Sequence, residues 1–247
     1  MNNYTNKLLS IPIPTDSKET ILEDISKTVS QQINMIHVVS LNPETMIIAQ
    51  DDPEFRAVLQ SADIRLIDGV GVLTACLLRG IPAGERLTGV DFLQDTLDRL
   101  KHKRIRVQFL GGRPGIAEKL AKCYARRYPQ SEFRGMTGIS DISRYEAGHE
   151  DKLILREIAE FRPHMLFVSY GSPFQEKWIW NNRLSLRGCI CAGVGGAFDF
   201  LVGDIPRAPK LLRRLGLEWA YRLVRQPWRW RRQLRLIRFL LYVILGK

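Results

Sequence analysis

Several features that would fix a protein's chemistry on inspection are missing from this 247-residue chain. It has only four cysteines, Cys76, Cys123, Cys189 and Cys191, and no C-x-x-C pair. A disulfide framework or a zinc site is therefore not expected, and buried free thiols are. The four histidines, His37, His102, His149 and His164, show no H-E-x-x-H or other metal-ligand spacing. His37 and His164 open strand-like runs, where packing or capping roles are expected. No G-x-S-x-G is present, which excludes a hydrolase elbow. Neither GVG at 69–71 nor GVGG at 193–196 completes G-x-G-x-x-G, and no Walker sequence follows any glycine-rich turn. There is no D-x-D pair, so no divalent ion is expected, and nothing implies a resident cofactor. The longest apolar run, FLLYVIL (Phe239–Leu245), is far short of the roughly 20 residues that span a bilayer. The N-terminal residues do not read as a signal peptide, and the chain has neither repeats nor low-complexity tracts.

Charge is abundant but unevenly placed. Residues 205–247 carry twelve Lys and Arg against the single acid Glu218, while the other 204 residues hold 25 bases and 25 acids. The net charge of +11 thus belongs to the C-terminal segment. A neutral body with a basic handle does not fit a domain that coats nucleic acid with its whole surface.

Apolar runs alternate with helical periods along the body. MIHVVSL (Met35–Leu41), DIRLID (Asp63–Asp68), IRVQFLG (Ile105–Gly111), HMLFVSYG (His164–Gly171) and CICAGVG (Cys189–Gly195) read as buried strands. Between them lie helical stretches opening at Pro43, after Asp68, at Gly89, near Pro114, in DKLILREIAEF and in PFQEKWIWNNR. The alternation predicts an α/β fold: a Rossmann-like, mostly parallel sheet with helices on both faces. The domain is expected to span residues 1–204. The proline-rich DIPRAPK stretch (Asp204–Lys210) marks the boundary to a helical basic appendage, 205–247.

In such sheets ligands bind beyond the carboxyl ends of the strands, and the polar, glycine-marked stretches fall there. Asp68, followed by Gly69, stands at a strand end, a rigid support for a general base; the same spacing suits an N-cap of the next helix. The turn FLGGRPG, with Gly111, could cradle a diphosphate on its amides or could be a bare helix start. In YGSPFQEKW, Ser172 reads as the N-cap and Pro173 as the first helical residue, which puts Gln175 and Glu176 at the mouth of a site. Arg86, ahead of a helix, could hold a phosphate or be a solvated loop charge.

The tail repeats a second pattern. Arg222, Arg225, Arg229 and Arg232 fall at helical spacing, Pro227 predicts a break into two helices, and Trp230, Leu234, Ile237 and Leu241 form an apolar stripe. A basic face with an apolar, Trp-bearing face fits a helix lying on an anionic membrane surface. Packing on the body is the plainer alternative. A nucleic-acid-binding tail is a third, although it leaves FLLYVIL unexplained.

Taken in order, SLNPE, DGVG, ERLTGVDF, LGGRPG, GSPFQE, GVGGAFDFLVGDIPRAP, LEWAYRL and QPWRWRR resemble the WecG/TagA/CpsF glycosyltransferase family from about Ser40 to Arg232. The resemblance implies a cytoplasmic, metal-independent, inverting enzyme, peripheral on the inner face of the cell membrane. It would move N-acetylmannosamine or a related sugar from a UDP-sugar donor to a saccharide on a polyprenyl-diphosphate carrier, typically undecaprenyl. The product would serve teichoic acid or another cell-surface polysaccharide. It implies no nucleic-acid partner. It places Asp68 on the catalytic base and Ser40 where the family usually has Thr. It also places Asn42, Arg86 and Gln175 in the pocket, and Arg222, Arg229 and Arg232 among arginines that close over the diphosphate. Two departures stand out. Phe174 replaces the usual lysine, and GMTGISD (Gly135–Asp141) lacks an aromatic pair, both in stretches associated with the donor sugar.

Overall fold

A computed structural model describes residues 6–29, 31, 34–139, 142, 149–214, 216–225 and 230–245. A short hairpin, β1 (Lys7–Leu8) and β2 (Ile11–Pro12), and helix α1 (Lys18–Thr28) precede the main sheet. Its strands are β3 (Ile36–Leu41), β4 (Ile64–Ile67), β5 (Arg106–Gly111), β6 (Glu132–Met136), β7 (Met165–Ser169) and β8 (Ile190–Gly193). They lie in the order β4-β3-β8-β7-β5-β6 and all pair in parallel. Between and after them come α2 (Pro43–Asp51), α3 (Pro53–Ser61), α4 (Val70–Leu78), α5 (Gly89–Arg99), α6 (Ile116–Arg127), α7 (His149–Phe161), α8 (Phe174–Asn181) and α9 (Ala197–Leu201). The C-terminal segment adds α10 (Lys210–Arg214), α11 (Glu218–Arg225) and α12 (Trp230–Leu245).

Burial on both faces explains the continuous apolar strands. Along β7, Met165 and Phe167 face one core with α1, α5 and α6, while Leu166 and Val168 face another under α7 and α8. A third cluster joins Val39 and Leu41 of β3 to α2, α3 and α4. It also takes in Phe239 and Val243 of α12, both nearly inaccessible, so the C-terminal helix is seated on the body. Arg235 pairs with Glu44, and Arg238 grips Asp51, at the two ends of α2. Two cations of the tail are thus matched by acids of the body.

Some boundaries differ from the sequence reading. Gly115, at φ 78°, is the N-cap of α6, so Pro114 precedes the helix instead of opening it. Strand β6, with the half-exposed sequence EFRGM, joins the sheet as its edge. Three cysteines are buried as expected, but Cys123 lies exposed on α6.

His37 sits in β3, fully buried, and neither ring nitrogen has a hydrogen-bond partner. Burial pushes its pKa down from 6.5 to about 3. Between those values the unfolded chain takes up a proton that the folded chain refuses, so the contribution of His37 to stability is greatest above pH 6.5 and falls as acid is added. At about 1.4 kcal/mol per pH unit, this one side chain costs roughly 2 kcal/mol between pH 6.5 and 5. Thermal melts from pH 7 to 4 should show a flatter acid limb for His37→Leu than for wild type. An unchanged slope would mean that the ring is hydrated or paired.

Candidate active site

Strands β3 and β8 are neighbours, yet the chain leaves β3 toward β4 on one side and reaches β8 from β7 on the other. At such a switch point the loops part and leave a crevice. Here it is a cavity of about 260 Å³ lined from four strand ends. β3 supplies Ser40 and Asn42, β4 Asp68, the loop and helix after β7 Gly171, Ser172 and Gln175, and β8 the run from Gly193 to Ala197. Thr88, Arg207 and Glu218 also stand in the wall.

Local chemistry fixes each position. Asn42 caps α2 in a capping box: its Oδ1 accepts from the Thr45 amide at 3.0 Å, and Thr45 Oγ1 accepts from the Asn42 amide at 2.9 Å. Gly69 brings the β4–α4 turn against this cap, since a Cβ there would lie 2.7 Å from Pro43 Cδ. Gly69 is itself the N-cap of α4, which has no side-chain cap. The N-cap position of α4 thus belongs to Gly69 and not to Asp68. Its half-buried side chain lines the cavity, and its carbonyl accepts from Arg86 Nε at 2.9 Å.

Gln175 is almost wholly buried. Its Oε1 accepts from the amides of Gly171 and Gly195 at 3.1 and 3.0 Å, which ties the β7 and β8 loops together across the cavity floor. Glu176 turns inward, fully buried, and its Oε1 accepts from Ser172 Oγ at 2.7 Å and Gln175 Nε2 at 2.8 Å. Burial raises its pKa, against the pull of those two donors. Ser172 consequently points at Glu176 and is not the helix cap; Pro173 takes that place and α8 starts at Phe174. Glu176 supports Gln175 and is not part of the cavity wall.

The LGGRPG turn is also committed elsewhere. Gly111, at φ 88°, lies against the Tyr170 ring, 2.7 Å from where a Cβ would stand. The Gly112 amide donates to the Ser169 carbonyl, and Arg113 pairs with Asp199 and Asp204. Gly111 does not reach the cavity, and the glycine run that does is 193–196. Arg86 does not itself line the cavity: its Nε and Nη1 are bonded to the carbonyls of Asp68 and Arg213, and its Nη2 is turned toward Glu218 in the wall.

Sequence reasoning did not single out Thr88 or Arg207, and it noted Glu218 only as the tail's lone acid. Arg207 forms a fork on Asp91, at 2.8 and 3.0 Å, and Thr88 Oγ1 donates to the same carboxylate at 2.7 Å. Burial opposes both charges, but the fork holds the Asp91 pKa below its ordinary value and that of Arg207 above. Glu218 reaches in from α11. The turn before α11 packs on Val70, at the start of α4, through Gly216. Arg207 and Glu218, both beyond residue 204, therefore contribute to the cavity wall. Of the appendage's predicted arginines, Arg229 lies outside the described residues, as do the side chains of Arg222 on α11 and Arg232 on α12.

An α/β enzyme is what this sheet and its crevice define. The chain belongs to the glycosyl transferase WecG/TagA/CpsF family, whose sequence profile matches residues 6–247, and it is a glycosyltransferase. It is 30% identical over 243 residues, 97% of this chain and 91% of the relative, to an N-acetylglucosaminyldiphosphoundecaprenol N-acetyl-beta-D-mannosaminyltransferase of Bacillus subtilis (strain 168). Proteins of the same name are similar in Bacillus spizizenii (strain ATCC 23059 / NRRL B-14472 / W23), at 34% over 209 residues, and in Staphylococcus aureus (strain NCTC 8325 / PS 47), at 28% over 193 residues. Those alignments cover 84% and 78% of this chain, and 78% and 73% of the relatives.

Proposed function

We propose that the protein transfers N-acetylmannosamine, or a closely related sugar, from a UDP-sugar to N-acetylglucosamine on an undecaprenyl-diphosphate carrier. The transfer inverts the anomeric centre in one displacement and serves teichoic acid or a similar cell-surface polymer. The observation that carries this reading is Asp68: a carboxylate at a strand end, in the wall of the crevice, one residue ahead of the α4 N-cap. The names of the relatives support the acceptor and the sugar.

In this mechanism Asp68 accepts the proton of the acceptor hydroxyl as its oxygen bonds to the anomeric carbon. The bond from that carbon to the diphosphate oxygen breaks, and UDP leaves with the electron pair. Ser40 and Asn42 line the same wall, where they can orient the reacting groups. Gln175 holds the loops that shape the floor. Arg222, Arg229 and Arg232 are assigned to the departing diphosphate as the appendage closes.

No helix among the described residues is long and apolar enough to cross a membrane. Contact with the lipid-linked acceptor is assigned to the outer face of α12, peripheral on the cytoplasmic side, where Ile237 and Ile244 are 58% and 73% exposed. A nucleic-acid role for the tail is disfavoured, because Arg235 and Arg238 are already paired with carboxylates.

UDP release, measured across a panel of UDP-sugars with a short-chain polyprenyl-diphosphate N-acetylglucosamine acceptor, tests the reading. Acceptor-dependent release from UDP-N-acetylmannosamine is expected. Release from none of the panel would sink the donor assignment.

A further inference from the structure

Glu218 is the only acid among residues 205–247, and its side chain, 15% exposed, sits in the cavity wall between two guanidiniums. Its Oε1 lies 3.4 Å from Arg207 Nε, and its Oε2 lies 4.0 Å from Arg86 Nη2. These contacts are slack beside the 2.8 Å reach of Arg207 to Asp91 and the usual 2.7–2.9 Å of charged hydrogen bonds. Each arginine is otherwise fixed from behind. Asp91 and Thr88 take the Nη edge of Arg207, and the carbonyls of Asp68 and Arg213 take Nε and Nη1 of Arg86. What remains on each is one N–H edge, and the two edges converge on a single carboxylate. Two preset guanidinium edges around one loosely held anion describe a site for a larger, doubly anionic group.

We propose that Arg207 and Arg86 form the diphosphate subsite of the donor, and that Glu218 is an internal stand-in for that diphosphate, displaced when donor enters. The inference rests on the reading of the donor as a nucleoside-diphosphate sugar. It adds Arg207 as a binding residue and gives α11 a reason to move. Removing the carboxylate frees both guanidinium edges, whereas a carboxylate that merely held the arginines in place would be missed by the ligand. The two roles predict opposite signs.

Calorimetric titration of the full chain with inorganic pyrophosphate, and separately with UDP, distinguishes them. Glu218→Gln keeps the side chain's size and hydrogen-bonding capacity. It is expected to bind pyrophosphate about tenfold more tightly than wild type, the scale of one partly buried charge contact. Arg207→Gln should lose most pyrophosphate affinity in either background. Equal or weaker binding by Glu218→Gln, no pyrophosphate binding by any variant, or full affinity in Arg207→Gln would each overturn the assignment. Tighter pyrophosphate binding by Glu218→Gln with no UDP binding at all would uphold the subsite and refute the UDP donor.

Discussion

Asp68→Asn is expected to lower turnover by about 10²–10⁴ while leaving UDP-sugar binding close to wild type. Asparagine preserves the shape at the end of β4 and removes the ability to accept a proton. Three backbone features hold this turn in either variant. The helix that follows is capped by Gly69, the Asp68 amide donates to the Leu41 carbonyl, and its own carbonyl is held by Arg86. All three belong to the backbone and survive the substitution. Steady-state kinetics with calorimetry of donor binding separates the outcomes. Lost turnover with retained binding supports the base. Turnover within a fewfold of wild type would assign the proton to another group, and lost binding would make Asp68 a donor ligand.

The second large effect is expected on the outer face of α12. Leu234, Ile237 and Leu241 are exposed, while Phe239 and Val243 face the core. Changing the three exposed residues to glutamate should leave the melting temperature nearly unaltered. Each apolar side chain transferred from water contributes about 1.5–3 kcal/mol when fully buried, so partition onto vesicles with anionic lipid should weaken by about 100-fold or more. Turnover on the full lipid-linked acceptor should fall with it, while turnover on a water-soluble short-chain acceptor persists. Vesicle binding that survives the triple change would move the contact to another surface.

The parallel strands were legible because both faces of this sheet are covered. Runs such as IHVVSL and MLFVS are apolar throughout, and such a run needs burial on both sides. Strand β6 escaped because an edge strand with one open side carries Glu132 and Arg134 in its pattern. Asp68, Ser40, Asn42 and Gln175 could be placed because each sits at a strand end or a helix start, and chain order alone locates those. Gly111 was misplaced because glycine serves a ring contact as readily as an anion. Arg207 and Asp91 meet across 116 residues, and no local pattern announces such a pairing. The one available signal was a lone acid among twelve bases, and it marked Glu218.

The seating of α12 on α2 has a geometric consequence. Helix α2 is capped by Asn42, on the lip of the crevice, and is gripped near both ends by arginines of α12. The 16 residues of α12 make a rod of roughly 24 Å. If that rod lies flat on a bilayer, as proposed, its two attachments to the body leave the enzyme no free spin about the rod axis. The crevice would meet the interface at one height and one tilt, so an acceptor sliding in the plane of the lipid has two dimensions to search, not three.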